Sequence, residues 1–260
     1  MAVGELGRHR LAEDDARGGA DQCNAGRVGV KLQSATLDTV GVMARALDDL
    51  PLIRAALLAL PVTPIASAPN APRIGFCRSI SWAAMEPETQ ALLQRTAEVL
   101  AAAGAKVREI ELTPADILNH HRRIFEFEAA RNYAYEYEVH GEKLSPALRE
   151  GLLAPGRALP LAAYTEAIET AEAFRRNLDD LFAEVDVLLA PSAPGEAPKG
   201  LGSTGDARFN AIWTVAWTPC VTLPAGNGRS GLPLGIQLVG PRFRDEALLD
   251  AAAWVEARLH

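Results

Sequence analysis

The side chains of this sequence that could carry out covalent chemistry are its serines, lysines and histidines. Hydrolysis of an acyl bond needs a nucleophile, a group that carries its proton, and donors that stabilise the oxyanion. None of the eight serines lies in a Gly-x-Ser-x-Gly or Gly-Gly-Ser context, and no phosphate-binding loop is present. The candidate side chains are Ser34, Ser67, Ser79, Ser81, Ser145, Ser192, Ser203 and Ser230, with Lys31, Lys106, Lys143 and Lys199.

The histidines do not form a recognisable site either. His120 and His121 are adjacent, and adjacent side chains on a helix point apart. No further set of ligands occurs at metal-binding spacing, so the sequence predicts no metal site. Ser192 follows an apolar run, where active-site loops often lie, but a structural turn is the favoured interpretation.

Short apolar runs and helical periodicity indicate the elements around these side chains. Runs that end in Pro or Gly are typical of buried strands. Helical spacing of apolar residues predicts helices between them, with Pro51 breaking or restarting the first. The fold class predicted is α/β, a mixed sheet flanked by helices. The predicted strands are 73–77, 107–112, 187–190, 221–223 and 236–239, and the predicted helices are 40–60, 87–103, 115–139, 160–182 and 245–259.

Bulk properties narrow the function classes. A chain of 260 residues can bury a large core in one or two domains. A net charge of −7, with no long basic run, argues against nucleic acid as a partner. Cys23, Cys77 and Cys220 are too few and scattered for a disulfide scaffold or zinc site, which favours a reduced, cytoplasmic setting. No signal peptide or membrane-spanning run is evident.

Several spaced motifs resemble the C-terminal part of the amidase signature family, in the family's order. One lies near the start, Ser34-Ala35-Thr36-Leu37-Asp38-Thr39-Val40-Gly41. The others lie in the last third, at residues 186–194, 209–210, 213–214, 219–226 and 231–240. The resemblance implies a partial amidase signature fold over residues 26–260. Residues 1–25 do not share it, and they are predicted to be disordered or non-homologous.

The resemblance implies hydrolysis of carbon–nitrogen amide bonds without a metal or organic cofactor. The family uses a Ser nucleophile, a bridging Ser and a Lys, all in the N-terminal half of its domain. In this chain Ala20 stands where a Ser is needed, after Gly18-Gly19, and the lysines have the wrong contexts. No catalytic residue is therefore assigned, and the chain is predicted to be inactive alone.

Two other interpretations of an inactive amidase-like chain remain open. The protein could be a non-catalytic remnant or a binding module, or one half of a split amidase that a separately encoded N-terminal half completes. A small amide is then the expected substrate of the completed enzyme. A missing half would leave strand edges and apolar faces uncovered, so self-association is expected.

Five residues are candidates for the wall of a substrate cavity. The resemblance places the turn that holds Asp38 and Thr39 close to the family's cleft, and it makes Phe125, Trp213 and Trp217 candidate wall residues. Each has a structural alternative: Asp38 could cap a helix that begins near Thr39, and the aromatic rings could pack in the core. Trp217 stands where the family often has Gly, so its ring would narrow a pocket.

Overall fold

A seven-stranded mixed sheet forms the centre of the part of the chain that the structure describes. The computed structural model describes residues 2–5, 29–67, 70–78, 82–112 and 116–259. The strands are β1 Ala2–Glu5, β2 Gly41–Ala44, β3 Arg73–Cys77, β4 Lys106–Ile110, β5 Val187–Pro191, β6 Cys220–Asn227 and β7 Pro233–Val239. Their spatial order is β2-β1-β6-β7-β5-β3-β4. Strand β3 is parallel to β4 and β5, and the other neighbours are antiparallel.

The helices cover both faces of this sheet. They are α1 Asp49–Leu58, α2 Pro87–Ala102, α3 Ile117–Asn132, α4 Ala134–Val139, α5 Pro146–Leu148, α6 Ala154–Ala158, α7 Leu161–Phe182, α8 Arg208–Ala216 and α9 Asp245–Glu256. A π-helical turn, Arg149–Leu153, joins α5 to α6. The predicted mixed sheet with flanking helices is therefore confirmed.

Alternate residues of the central strands belong to two cores. In β5, Val187 and Leu189 belong to a first core that α2 and α9 complete. Leu188 and Ala190 belong to a second core that α3, α7 and α8 complete. Because both faces of β5 are buried, its sequence is a continuous apolar run rather than an alternating one. This is why the short run at 187–190 predicts the strand correctly.

The predicted helix 40–60 is wrong in its first part. Residues Gly41–Ala44 form strand β2, which pairs with β1, and the helix begins only at Asp49. Pro51 lies in the first turn of α1, where its missing N–H costs no intrahelical hydrogen bond. Val42 and Met43 have apolar side chains that suit either structure, and pairing with β1 decided for the strand.

The predicted helix 115–139 is two helices. It breaks at Tyr133, between α3 and α4, without a proline or glycine. At the break the side-chain amide of Asn132 donates to the carbonyl of Gln33 at 3.0 Å. The turn around Gln33 is thereby attached to the end of α3. Of residues 1–25, only β1 is described, and residues 6–25 lie outside the described residues.

Candidate functional site

The turn at residues 33–39 carries two of the five candidates. The backbone N–H of Asp38 donates to the Ser34 carbonyl at 2.9 Å, and the Asp38 carboxylate accepts from the backbone N–H of Gln33 at 2.7 Å. Thr39 is exposed beside it. Since the next element is strand β2, Asp38 does not cap a helix, and that interpretation is wrong. The carboxylate instead closes the turn on itself.

A buried carboxylate fixes this turn to the helices. Glu128 of α3, only 8 % exposed, accepts hydrogen bonds from the Ser34 hydroxyl at 2.5 Å and the Thr36 N–H at 2.8 Å. It also accepts from the Thr36 hydroxyl and from the Tyr164 hydroxyl of α7, the latter at 2.8 Å. We call Ser34, Thr36, Glu128 and Tyr164 the carboxylate cluster. It joins three segments that are far apart in sequence.

The protonation states of the carboxylate cluster are fixed at neutral pH. Burial by itself would raise the pKa of Glu128, but the hydrogen bonds from Ser34, Thr36 and Tyr164 outweigh it and hold that pKa below its ordinary value. Burial and the bond to Glu128 raise the pKa of Tyr164, which therefore remains a protonated donor. A carboxylate with a depressed pKa is a weak general base. Because Ser34 is also fully buried, the cluster is suited to holding the turn and not to attacking a substrate.

Trp217 binds the same turn from the other side. It follows α8 in the left-handed region, with φ 59°, a conformation that glycine adopts without strain. Its indole N–H donates to the Thr36 carbonyl at 2.9 Å. The guanidinium of Arg175 stacks on the ring, with its carbon 3.5 Å from the ring centroid, and donates to the Val215 carbonyl at 2.8 Å. The ring therefore occupies the space between the turn and α7.

We expect Trp217→Ala to lower the free energy of unfolding by about 2 kcal/mol, because the stacking, the hydrogen bond and part of the burial are lost. Trp217→Gly should cost roughly 1 kcal/mol less than Trp217→Ala, since glycine removes the left-handed strain. Urea denaturation of both variants measures the difference. Equal losses would show that the backbone at this position is not strained.

The two remaining candidates lie in the second core or against it. Trp213 of α8 is 1 % exposed, and Phe125 of α3 is partly buried against the same core and stacks on His121. Leu37, from the 33–39 turn, belongs to that core as well. Trp213, Phe125 and the turn that carries Asp38 and Thr39 therefore lie on one side of the sheet. Their role in a substrate cavity stays a prediction.

A second polar group lies at the ends of β5 and β7. The Gln237 side-chain amide, 2 % exposed, donates to the Asn210 side chain at 3.0 Å, and Asn210 donates to the Ser192 carbonyl at 3.3 Å. These bonds fix the start of α8 to the strand ends. Ser192 takes part through its backbone, in agreement with its interpretation as a turn residue.

Serines and lysines in the described part of the chain have separate roles. No hydrogen bond joins a serine to a lysine among those residues. Lys31 forms an ion pair with Glu136 at 2.8 Å, and Ser145 accepts from the Leu148 N–H at the start of α5.

Within the same ranges, no three His, Cys, Asp or Glu side chains are grouped as metal ligands. None of the described helices has the length and apolarity needed to cross a bilayer.

Sequence reasoning does not find Glu128 or Tyr164. Ser34 and Thr36 lie in a motif that resembles the family, but Glu128 is 94 residues from Ser34 and 92 from Thr36, on another element. Glu128 occurs among other charged residues on α3, where a solvated face is the ordinary interpretation. Its position along the helix was an available signal. Ile117 and Ile124 lie on the same helical face as Glu128 and are apolar, which favours an inward direction for the Glu128 side chain.

Comparison with known proteins gives one family. A family model described as Amidase matches residues 25–249. The A subunit of the glutamyl-tRNA(Gln) amidotransferase from Rhodospirillum rubrum is 29% identical over 275 residues, covering 88% of this chain and 55% of that protein. The protein of the same name from Ruegeria pomeroyi is 31% identical over 219 residues, covering 70% of this chain and 44% of that protein. The chain thus spans about half the length of these curated relatives.

Solved structures agree with this result. A crystal structure of an amidase superimposes with a TM-score of 0.80 at 25% identity, covering 100% of this chain and 58% of that chain. A 6-aminohexanoate cyclic dimer hydrolase superimposes with a TM-score of 0.71 at 19% identity, covering 99% of this chain and 60% of that chain. At that identity the second comparison shows the fold alone.

Proposed function

Because this chain belongs to the amidase family, we propose that it is the C-terminal part of an enzyme that hydrolyses carbon–nitrogen amide bonds, and that it is inactive alone. In this proposal the chain supplies the scaffold and one wall of the substrate cavity. The nucleophile, the bridging serine and the lysine come from the half of the domain that these residues do not resemble. No metal or organic cofactor takes part.

The observation that carries the proposal is that Ser34 and Lys31 each bind a different glutamate. They lie three residues apart in the sequence, yet Ser34 is fully buried and donates to Glu128, while Lys31 pairs with Glu136. A nucleophilic serine needs an accessible oxygen and a base that can take its proton. A second support is that the chain aligns with about half the length of its relatives.

The cavity wall in this proposal consists of Asp38, Thr39, Phe125, Trp213 and Trp217. The bond from Trp217 to the Thr36 carbonyl favours it, since it brings the indole ring to the turn that holds Asp38 and Thr39. A bulky ring there would narrow the cavity. The completed enzyme would then prefer amides with a small acyl group.

We expect the purified chain to show no turnover above the buffer rate with a panel of aliphatic primary amides, benzamides and anilides. A full-length amidase assayed in parallel is the positive control, and Ser34→Ala and Ser192→Ala are the matched variants. Release of ammonia or aniline is measured. Robust turnover that a single Ser→Ala change abolishes would contradict the proposed inactivity.

A separately encoded N-terminal half is the alternative source of the catalytic groups. The curated relatives are named as subunits, which favours a protein partner. Co-expression with the N-terminal half of a related amidase tests this: amide hydrolysis recovered only in the mixture supports a split enzyme, whereas absence of both binding and activity supports a non-catalytic remnant. The self-association expected of uncovered apolar faces is checked by the sedimentation velocity of the chain alone.

A further inference from the structure

An open cavity of about 270 Å³ lies between α3, the start of α4 and α6. Among the described residues it is lined by Ala130, Arg131, Ala134 and Arg157. Two small side chains form part of its surface, and the two others carry guanidinium groups. The described lining contains no carboxylate. None of the five candidate cavity residues or the members of the carboxylate cluster belongs to it, so it is a separate feature of the protein.

The guanidinium of Arg131 is held in one orientation. It donates to the Phe127 carbonyl at 2.9 Å, and its central carbon lies 3.1 Å from the centroid of the Phe127 ring. The Tyr164 ring stacks on Phe127 with centroids 4.1 Å apart, so it must occupy the opposite face of that ring. Within the described residues, Arg131 forms no ion pair with a carboxylate. A fixed guanidinium with donors to spare is prepared to bind an anion.

Arg157 is held less completely. Its guanidinium lies 4.6 Å from the centroid of the Tyr137 ring and forms an ion pair with Glu138 at 2.5 Å. A guanidinium has five N–H donors in a planar fork, and one carboxylate cannot use all of them. The side chain therefore keeps donors for a second anion, and Glu138 limits how strongly it attracts one.

The charges of the two lining guanidinium groups and of their direct partners favour an anion. The two guanidinium groups supply two positive charges, and Glu138 cancels one. The C-terminal end of α3 follows at Asn132 and contributes about half a negative charge at most. The remaining balance is positive. Because the cavity is open to solvent, screening will keep the attraction modest.

We propose that this cavity is a binding site for a small oxyanion, either a carboxylate or a phosphate, held between Arg131 and Arg157. Planar guanidinium forks match the paired oxygens of both groups. A volume of about 270 Å³ is just below the usual range of ligand pockets, which restricts the ligand to a small molecule. The inference goes beyond amide hydrolysis and does not depend on it.

The test is an NMR titration of the full chain with sodium succinate and, separately, inorganic phosphate at fixed ionic strength, following the arginine Nε–H signals. We expect saturable binding in the millimolar range for at least one of the two anions. Arg131→Met and Arg157→Met should each weaken it by roughly tenfold or more, as expected for the loss of a charge-assisted hydrogen bond. Glu138→Gln should strengthen it, because Arg157 loses its competing partner.

Arg95→Met is the matched control, since Arg95 is an exposed arginine on α2. It should leave the affinity unchanged. Arg131→Lys keeps the charge without the fork and is used if Arg131→Met does not fold, with a loss of binding still expected. Saturation by succinate alone identifies a carboxylate site, and saturation by phosphate alone identifies a phosphate site. Absence of saturation with both anions, or equal weakening by Arg95→Met, would overturn the proposal.

Discussion

Replacing Glu128 by alanine is expected to lower the free energy of unfolding by about 3 kcal/mol, as for the loss of a buried charged hydrogen-bond network. The carboxylate accepts from Ser34, Thr36 and Tyr164, and these donors would lose that acceptor, Ser34 at a fully buried position. The 33–39 turn would also lose its attachment to α3 and α7. Urea denaturation at pH 7, followed by circular dichroism, measures the change.

Two further variants distinguish the loss of this hydrogen-bond network from the loss of a buried charge alone, by their effect on the free energy of unfolding. Glu126→Ala is the matched control, because Glu126 is equally buried on the same helix but pairs with the exposed Arg122. It should cost less than about 1 kcal/mol. Tyr164→Phe removes one of the bonds to Glu128 and should cost about 1 kcal/mol. Equal losses for Glu126→Ala and Glu128→Ala would refute a special role for the carboxylate cluster.

The same cluster gives the stability a defined pH dependence. The pKa of Glu128 is lower in the folded protein than in the unfolded chain. Its contribution to the free energy of unfolding is therefore complete at pH values above the ordinary glutamate pKa. It is lost as the pH falls through the lowered value of the folded state. The difference in unfolding free energy between the protein and Glu128→Gln should therefore be constant from pH 8 to about 5 and shrink below that. A difference that does not change down to about pH 3 would contradict this assignment.

Gly156→Ala is expected to destabilise the protein by about 3 kcal/mol, the upper end of the usual cost of overpacking. A Cβ atom at Gly156 would lie 1.9 Å from the Glu126 carbonyl oxygen and 2.9 Å from the Ala130 side chain. The first contact is with helix backbone, which cannot rotate away, so α6 must move off α3. The displacement would also disturb Arg157, the next residue, and the cavity beside it.

Gly151→Ala is the control for this substitution. Gly151 lies in the adjoining π-helical turn, and a Cβ there meets no atom within 4 Å. We expect a change within about 0.5 kcal/mol or a slight gain, because alanine favours helical backbone over glycine. Thermal and urea unfolding of the two variants should therefore differ clearly. Similar losses would show that glycine is needed in this segment for its backbone freedom and not for close helix packing.

The strands at 187–190, 221–223 and 236–239 could be predicted because buried strands have short, mainly apolar sequences. Residues 187–190 are wholly apolar, since both faces of β5 are buried. The helix 87–103 could also be predicted, because its apolar face indicates the side that is buried and Gly104 indicates where the helix ends. In the structure Gly104 has a φ of 104°, which suits glycine. The amidase resemblance rested on such short motifs in a fixed order, and the family model confirms it.

Tertiary contacts decided what the sequence left open. Residues Gly41–Ala44 are apolar in a way that suits a helix or a strand, and only pairing with β1 made them a strand. Glu128 resembles any charged residue of a helix until Ser34 and Tyr164 are brought to it from other segments. Arg131 and Arg157 likewise line one cavity only in the folded chain, where α6 packs closely on α3 at Gly156. Periodicity records which face of an element is buried, whereas the partner that a buried polar group finds depends on how distant elements pack, which no local pattern contains.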